Sequence, residues 1–368
     1  MTSTLTQEAV ALLGRLIATP RISRDETAAA DLFGQFLTAH HISYQREANN
    51  IWCTAPGYDA ARPTLLLNAH IDTVRPVSGW QRDPFTPTTE DSRLYGLGAN
   101  DDGASLVSLL QAFRQLSAKP QRYNLVFLAS AEEEVSGANG VGRVLPLLPP
   151  VSVALVGEPT GMQPAVAEKG LMVLDITAHG KAGHAARNEG INAIYRAIQA
   201  VERLRHFTFE EVSPLLGPVK MTTTIIQAGT QHNVVPDTCT FTVDVRSNEC
   251  YGNETIYNMV CRELAQLCDD PKTFDVKARS FHLNSSRIDR RHPLVVQAEE
   301  MGRIPFGSPT LSDQSQMPFP SMKMGPGQSS RSHTADEFIE IAEIEEAIGI
   351  YIRLLDGLDI NAQSMTRD

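Results

Sequence analysis

Four short stretches carry acidic and imidazole side chains in patterns that could do chemistry. They are His70-Ile71-Asp72, the Asp101-Asp102 pair in Gly96-Leu97-Gly98-Ala99-Asn100-Asp101-Asp102-Gly103, Glu132-Glu133-Glu134, and Gly157-Glu158-Pro159-Thr160. Singly, each has a structural explanation: a His-x-Asp pairing, helix-capping aspartates, a solvated glutamate run, a surface glutamate before proline. Together they are explained at once by a single site, and imidazole with carboxylate is a donor set that accepts Zn, Co or Mn. In an extended segment residues two apart share a face, so Asp72 can lie beside His70 and orient its imidazole. Glu133 and Glu134 are adjacent and point differently, so one can bind metal while the other faces the attacking water as general base. The five cysteines (Cys53, Cys239, Cys250, Cys261, Cys268) contain no Cys-x-x-Cys pair, which argues against a zinc ribbon or a disulfide scaffold. Any metal must therefore be held by His and carboxylate.

These residues need strands to carry them. Nearly continuous apolar runs at 64–69, 124–129 and 151–156 predict strands covered on both faces, and each run leads into one of the stretches. Helical spacing at 6–18, 26–40 and 103–117 predicts helices packed on that sheet. In open α/β sheets the carboxyl ends of strands line the ligand crevice, so the stretches should converge. The rhythm then changes. A strand at 171–178, a helix at 190–206, strands at 219–228 and 238–246, a helix at 254–268 and a strand at 273–281 follow the β-α-β-β-α-β order of a ferredoxin-like unit. The expected fold is therefore α/β: a catalytic domain with a mixed sheet flanked by helices (1–170 and 283–368), plus an inserted ferredoxin-like α+β domain (171–282). Helices are expected at 293–301 and near 335–355, and the Pro- and Gly-rich stretch 305–327 reads as loop.

Composition narrows the class. A length of 368 residues suits two domains, and 42% hydrophobic with 20% charged residues is globular composition. A net charge of −11 without a basic cluster argues against nucleic acid or an anionic membrane as partner. No run of 18 apolar residues and no basic-then-apolar start occurs, so neither a membrane span nor a signal peptide is expected. With reduced thiols, this suits a cytoplasmic protein.

His70-x-Asp72, Gly98-x-x-Asp101, Ala131-Glu132-Glu133-Glu134, Gly157-Glu158-Pro159-Thr160 and the later Ser332-His333-Thr334-Ala335-Asp336-Glu337-Phe338 come in a telling order. Over nearly the whole chain they resemble the successive motifs of the zinc-dependent acetylornithine deacetylase, succinyl-diaminopimelate desuccinylase and aminoacylase metallopeptidase family. The resemblance implies two Zn2+ per chain, with Co2+ or Mn2+ as alternatives. Asp101 would bridge them, His70 and Glu158 completing one ligand set, Glu134 and His333 the other. Glu133 would be the general base and Asp72 the residue that orients His70. His333 stands just ahead of Thr334 and Glu337, which are spaced as a capping box. Gly180-Lys181-Ala182-Gly183-His184 is similar to the family's lid segment, which implies that His184 serves the oxyanion from a partner subunit, in a homodimer formed through the inserted domain. Arg246 of Asp244-Val245-Arg246 resembles the residue that holds the substrate α-carboxylate, a task that suits a forked guanidinium, although a strand-end salt bridge is the structural alternative. Asn233, Gly325 and Gly327 resemble further substrate contacts.

Two departures mark a divergent branch: Asp101-Asp102-Gly103 lacks the lysine of Asp-x-Lys-Gly, and Glu132 stands where Asp is common. The substrate implied is a small N-acyl amino acid, acetyl or succinyl. N-acyl-ornithine in arginine biosynthesis comes first; succinyl-diaminopimelate and dipeptides are the alternatives. A non-catalytic amino-acid or peptide-binding protein is the alternative outside the enzyme class, and an intact ligand set with Glu133 speaks against it.

Overall fold

The computed structural model describes residues 3–187 and 189–360; residues 1–2 and 361–368, the ends of the expected catalytic domain, lie outside the described residues. The chain begins with α1 (Thr4–Ile17), α2 (Thr27–Ala39), β1 (Asn50–Thr54) and β2 (Thr64–His70). Next come α3 (Ala104–Ser117), β3 (Asn124–Ser130) and β4 (Val153–Val156). The middle runs β5 (Met172–His179), α4 (Ala193–His206), β6 (Lys220–Ala228), β7 (Thr238–Arg246), α5 (Asn253–Ala265) and β8 (Phe274–Ala278). The last elements are α6 (Pro293–Glu300), β9 (Ser321–Lys323) and α7 (Ile341–Leu355). Two compact units result. One comprises the chain up to Val166, Arg287–Phe306 and the chain from Ser312; the other comprises Ala167–Ser286 with Gly307–Leu311.

In the first unit β2 lies between β3 and β4 and runs parallel to both, with His70 opposite Ser130 and Asn68 opposite Val156. β9 extends the sheet beyond β4 in parallel, whereas β1 pairs antiparallel beyond β3, so the sheet is mixed as expected. Every residue of β2, β3, β4 and β9 is buried, which explains their lack of polar alternation. Leu65, Leu67, Leu125 and Phe127 face a core built with Leu13, Leu109 and Tyr351 from the helices. Leu66, Val126 and Leu128 pack on the other face with Val141 and Val144. Helix ends follow local chemistry: Ser3 Oγ accepts the Thr6 amide at 3.2 Å ahead of α1, and Pro293 opens α6.

The second unit is an antiparallel sheet of order β6-β7-β5-β8. With α4 and α5 it has the ferredoxin-like connectivity. Leu174, Ile176, Phe241 and Val243 form its core with Ala197, Leu204, Ile256 and Val260 from the helices. Asn192 Oδ1 caps α4 through the Ile194 amide at 2.9 Å.

Three expectations are corrected. The final helix starts at Ile341 rather than near 335, because Phe338–Glu340 pairs antiparallel with Arg93–Tyr95. Its capping box joins Glu340 and Glu343, not Thr334 and Glu337. The stretch 305–327, read as loop, contains β9, a strand of three residues between Pro320 and Gly325, too short for a periodic signal. Among the described residues no helix is long and apolar enough to cross a membrane.

Candidate metal centre

Parallel pairing puts the carboxyl ends of β2, β3 and β4 at one edge, so three sequence stretches separated by long intervals become neighbours. His70 is the last residue of β2, Glu132–Glu134 follow β3, and Glu158 follows β4. Asp101 arrives from the turn ahead of α3. His70 Nε2 lies 3.2 Å from Asp101 Oδ1 and 4.0 Å from Glu133 Oε2. Ligand atoms of His70, Asp101 and Glu134 lie within 4.8 Å of one another, as do those of His70, Glu133 and Glu158. His333 Nε2 is 2.9 Å from Glu134 Oε2 and 3.6 Å from Asp101 Oδ2. His70, Asp101, Glu133, Glu134, Glu158 and His333 thus form one cluster.

Asp72 reaches further than its spacing suggests. Its backbone oxygen lies 3.0 Å and its Oδ1 3.5 Å from His70 Nδ1. The same carboxylate accepts the Glu133 amide at 3.0 Å, the Glu134 amide at 3.2 Å and the Ser23 hydroxyl at 2.6 Å. One buried aspartate therefore sets both the histidine and the two glutamates. Glu132 points elsewhere: its carboxylate accepts the Asn139 amide at 3.2 Å and side-chain Nδ2 at 2.8 Å, closing the loop after β3.

Sequence reasoning missed the role of Glu337, reading it only as a cap. Its carboxylate accepts the backbone amides of Gly98 at 2.9 Å and of Asn100 and Asp101 at 2.8 Å. It was legible only as a neighbour of His333 in the same motif. Asp313, from the stretch read as loop, is buried and accepts the Ser130 hydroxyl at 2.5 Å. No local pattern marks it.

The remaining sequence candidates fall into two groups. Gly325 and Gly327 pack against the ligand-bearing segments: Gly325 accepts the Met162 amide at 2.8 Å, and Gly327 accepts the Gly161 amide at 2.7 Å. A Cβ on Gly325 would lie 2.5 Å from the Glu158 carbonyl oxygen. One on Gly327 would lie 2.2 Å from Asn100 Oδ1. In the second unit, His184 lies opposite Val234, and Asn233 accepts the Ala185 amide at 3.0 Å, so His184 and Asn233 are neighbours. Arg246 is held by Asp244, two residues back, through bonds of 2.9 and 3.2 Å.

Burial governs the electrostatics. It pushes Glu133 and Glu158 well above the usual carboxylate range, with neighbouring acids adding to the effect. It also raises Asp102 and Glu337 to about 7. Burial opposes a charged His70, but Asp101 and Asp72 outweigh it and hold the imidazole well above its ordinary value. Contact with Glu134 raises His333 to about 9. Such a concentration of buried acids beside two imidazoles is costly unless cations offset it. Its oxygen and nitrogen donors, with no thiolate among the clustered groups, fit divalent Zn, Co or Mn.

Residues 66–357 match the model of peptidase family M20/M25/M40. The chain belongs to that family. This M20 protein is accordingly a metal-dependent amidohydrolase. It is 29% identical over 357 residues to an acetylornithine deacetylase of Klebsiella pneumoniae (strain 342), covering 88% of this chain and 91% of the relative. Its fold is that of aminopeptidase PepT from Bacillus cereus, at a TM-score of 0.75 and 18% identity, covering 95% of this chain and 98% of that one. The YXEP protein of Bacillus subtilis, a dinuclear metal binding peptidase from the M20 family, has a TM-score of 0.72 and 17% identity, covering 95% and 97%.

Proposed function

We propose that this M20 hydrolase removes an acetyl or succinyl group from a small N-acyl amino acid, with N-acyl-ornithine in arginine biosynthesis as first candidate. The observation that carries the reaction is Glu133, a carboxylate 10% exposed and 4.0 Å from His70 Nε2, whose backbone amide is held by Asp72. The acetylornithine deacetylase relative supports the substrate. His70, Asp101 and Glu158 would hold one divalent ion, and Asp101, Glu134 and His333 the other, Zn2+ being the metal we favour. Ions held there would polarise the scissile carbonyl and acidify the attacking water. Glu133 then takes a proton from the water as its oxygen bonds to the carbonyl carbon. The proton passes to the amine nitrogen as the C–N bond breaks, leaving a carboxylate and a free amine. Asp72 keeps His70 and Glu133 in register throughout.

In the same reading residues 1–170 and 283–368 form the catalytic domain, and 171–282 a lid and dimerisation domain. His184 would donate to the oxyanion from the partner subunit, and Arg246 and Asn233 would meet the substrate carboxylate, with Gly325 and Gly327 beside it. A homodimer through β6 and α4 is supported by the exposure of Ile225, Ile226, Tyr195 and Ile198. A cytoplasmic location completes the proposal.

A hydrolysis panel tests it: N-acetyl- and N-succinyl-ornithine, acetyl-citrulline, succinyl-diaminopimelate and simple dipeptides, each read as kcat/KM. The highest value is expected on an N-acyl-ornithine. A dipeptide as the best substrate would move the chain toward the peptidases, with which it also shares its fold.

A further inference from the structure

Two backbone segments carry the groups shared by the centre: 70–72, with His70 and Asp72, and the turn from Gly98 to Asp101. One side chain spans them. Arg21 is 1% exposed, and its Nη1 donates to the Ile71 carbonyl at 2.6 Å while its Nη2 donates to the Gly98 carbonyl at 2.8 Å. Ile71 lies between His70 and Asp72, and Gly98 is three residues ahead of Asp101. Because the guanidinium is planar and rigid, two bonds from one fork fix the spacing of the two carbonyls. The main chain adds to this: Thr73 donates to the Arg21 carbonyl at 2.8 Å, and the Ser23 amide donates to the Thr73 carbonyl at 3.0 Å.

The surroundings are shaped for the arginine. A Cβ on Gly98 would lie 2.5 Å from Arg21 Nη2, and one on Gly103 would lie 2.9 Å from it. Arg21, from ahead of α2, thus occupies space that a side chain at 103 would enter. Its charge acts on Asp72, Asp101, Asp102 and Glu337. We propose that Arg21 is a positioning residue of the metal centre, holding the His70–Asp72 segment and the Asp101 turn at the separation that two-metal binding needs. This rests on the cluster being a metal centre, as proposed above.

The test compares full-length wild type, Arg21→Met and Arg21→Lys, stripped with chelator and titrated with Zn2+ by calorimetry. Circular dichroism checks the fold, Co2+ substitution gives a visible spectrum of ligand geometry, and kcat and KM are measured separately. Wild type that takes up no divalent ion overturns the metal-centre reading itself, which separates that failure from failure at Arg21. Given uptake, Arg21→Met should bind Zn2+ about 10–100-fold more weakly, as for other residues that orient ligands. Its Co2+ bands should shift, and kcat should fall with KM little changed. Arg21→Lys keeps the charge without the fork and should lie between; if the Met variant does not fold, the Lys variant decides. A folded variant with wild-type Zn2+ affinity and Co2+ spectrum overturns the proposal, even if its activity is reduced.

Discussion

At the strand ends of the first unit, His70 and Asp72 are 2% and 0% exposed, and their polar atoms are spoken for by Asp101, Ser23 and the amides of Glu133 and Glu134. In the second unit His184 is exposed, its Nδ1 accepting the Ala186 amide, and Arg246 is partly exposed in a local pair with Asp244. The difference separates two tasks. The groups proposed for the metal centre are held by contacts that join distant parts of the chain. Arg246, proposed to recognise substrate, is satisfied by a neighbour in sequence, and such a partly exposed ion pair is weak enough for a substrate carboxylate to displace.

That contrast can be broken by mutation, starting with the largest effect. Glu133→Gln should lower kcat about 10²–10⁴-fold, the range for a positioned general base, while metal content measured on the same protein stays at the wild-type level. Turnover near wild type would remove Glu133 from the mechanism. His184→Ala should cost about 10²–10³-fold in kcat, as loss of an oxyanion donor does, with an unchanged melting temperature because the side chain is exposed. An unaffected kcat would leave the second unit without a part in the chemistry. Arg246→Met should act on binding, lowering kcat/KM about 10–100-fold, in line with losing a hydrogen bond to a charged group.

The smallest expected effect concerns stability rather than rate. Asp102 and Glu337, raised by burial to about 7 from reference values of 3.8 and 4.5, bind protons more tightly folded than unfolded. Without metal, their contribution is full below those reference values and is lost as pH rises through about 7. His333, raised to about 9, loses its contribution over higher pH in the same direction. Asp72 and Asp101, held low by His70, contribute fully above their reference value of 3.8 and so do not oppose the trend near neutrality. Melting temperatures of chelator-treated protein should therefore fall from pH 5 to pH 8, and divalent metal should flatten the curve. A rise over that interval would contradict the picture of an over-charged buried cluster.

Much of the candidate site was legible because His70, Glu133, Glu134 and Glu158 sit where apolar runs stop. Nearly continuous apolar runs along β2, β3 and β4 write their boundaries into the residues, and the His-bearing and acidic stretches begin where those runs end. The ferredoxin-like order was legible for a related reason: alternation along β5 and β7 marks strands with one buried face. β9 and the start of α7 were not legible. A strand of three residues leaves no period, and Phe338–Glu340 is extended because Arg93–Tyr95 pairs with it.

By itself, then, the sequence determined the residue types of the cluster, the strands that deliver them and the family motifs they form. Tertiary structure decided which groups answer one another: Asp72 reaching the Glu133 and Glu134 amides, Glu337 gathering three amides of the Asp101 turn, and Arg21 spanning two carbonyls. The physical reason is range. Periodicity and spacing report faces within one element, whereas these bonds join residues 50 to 239 positions apart, which only sheet register and packing bring within 3.2 Å.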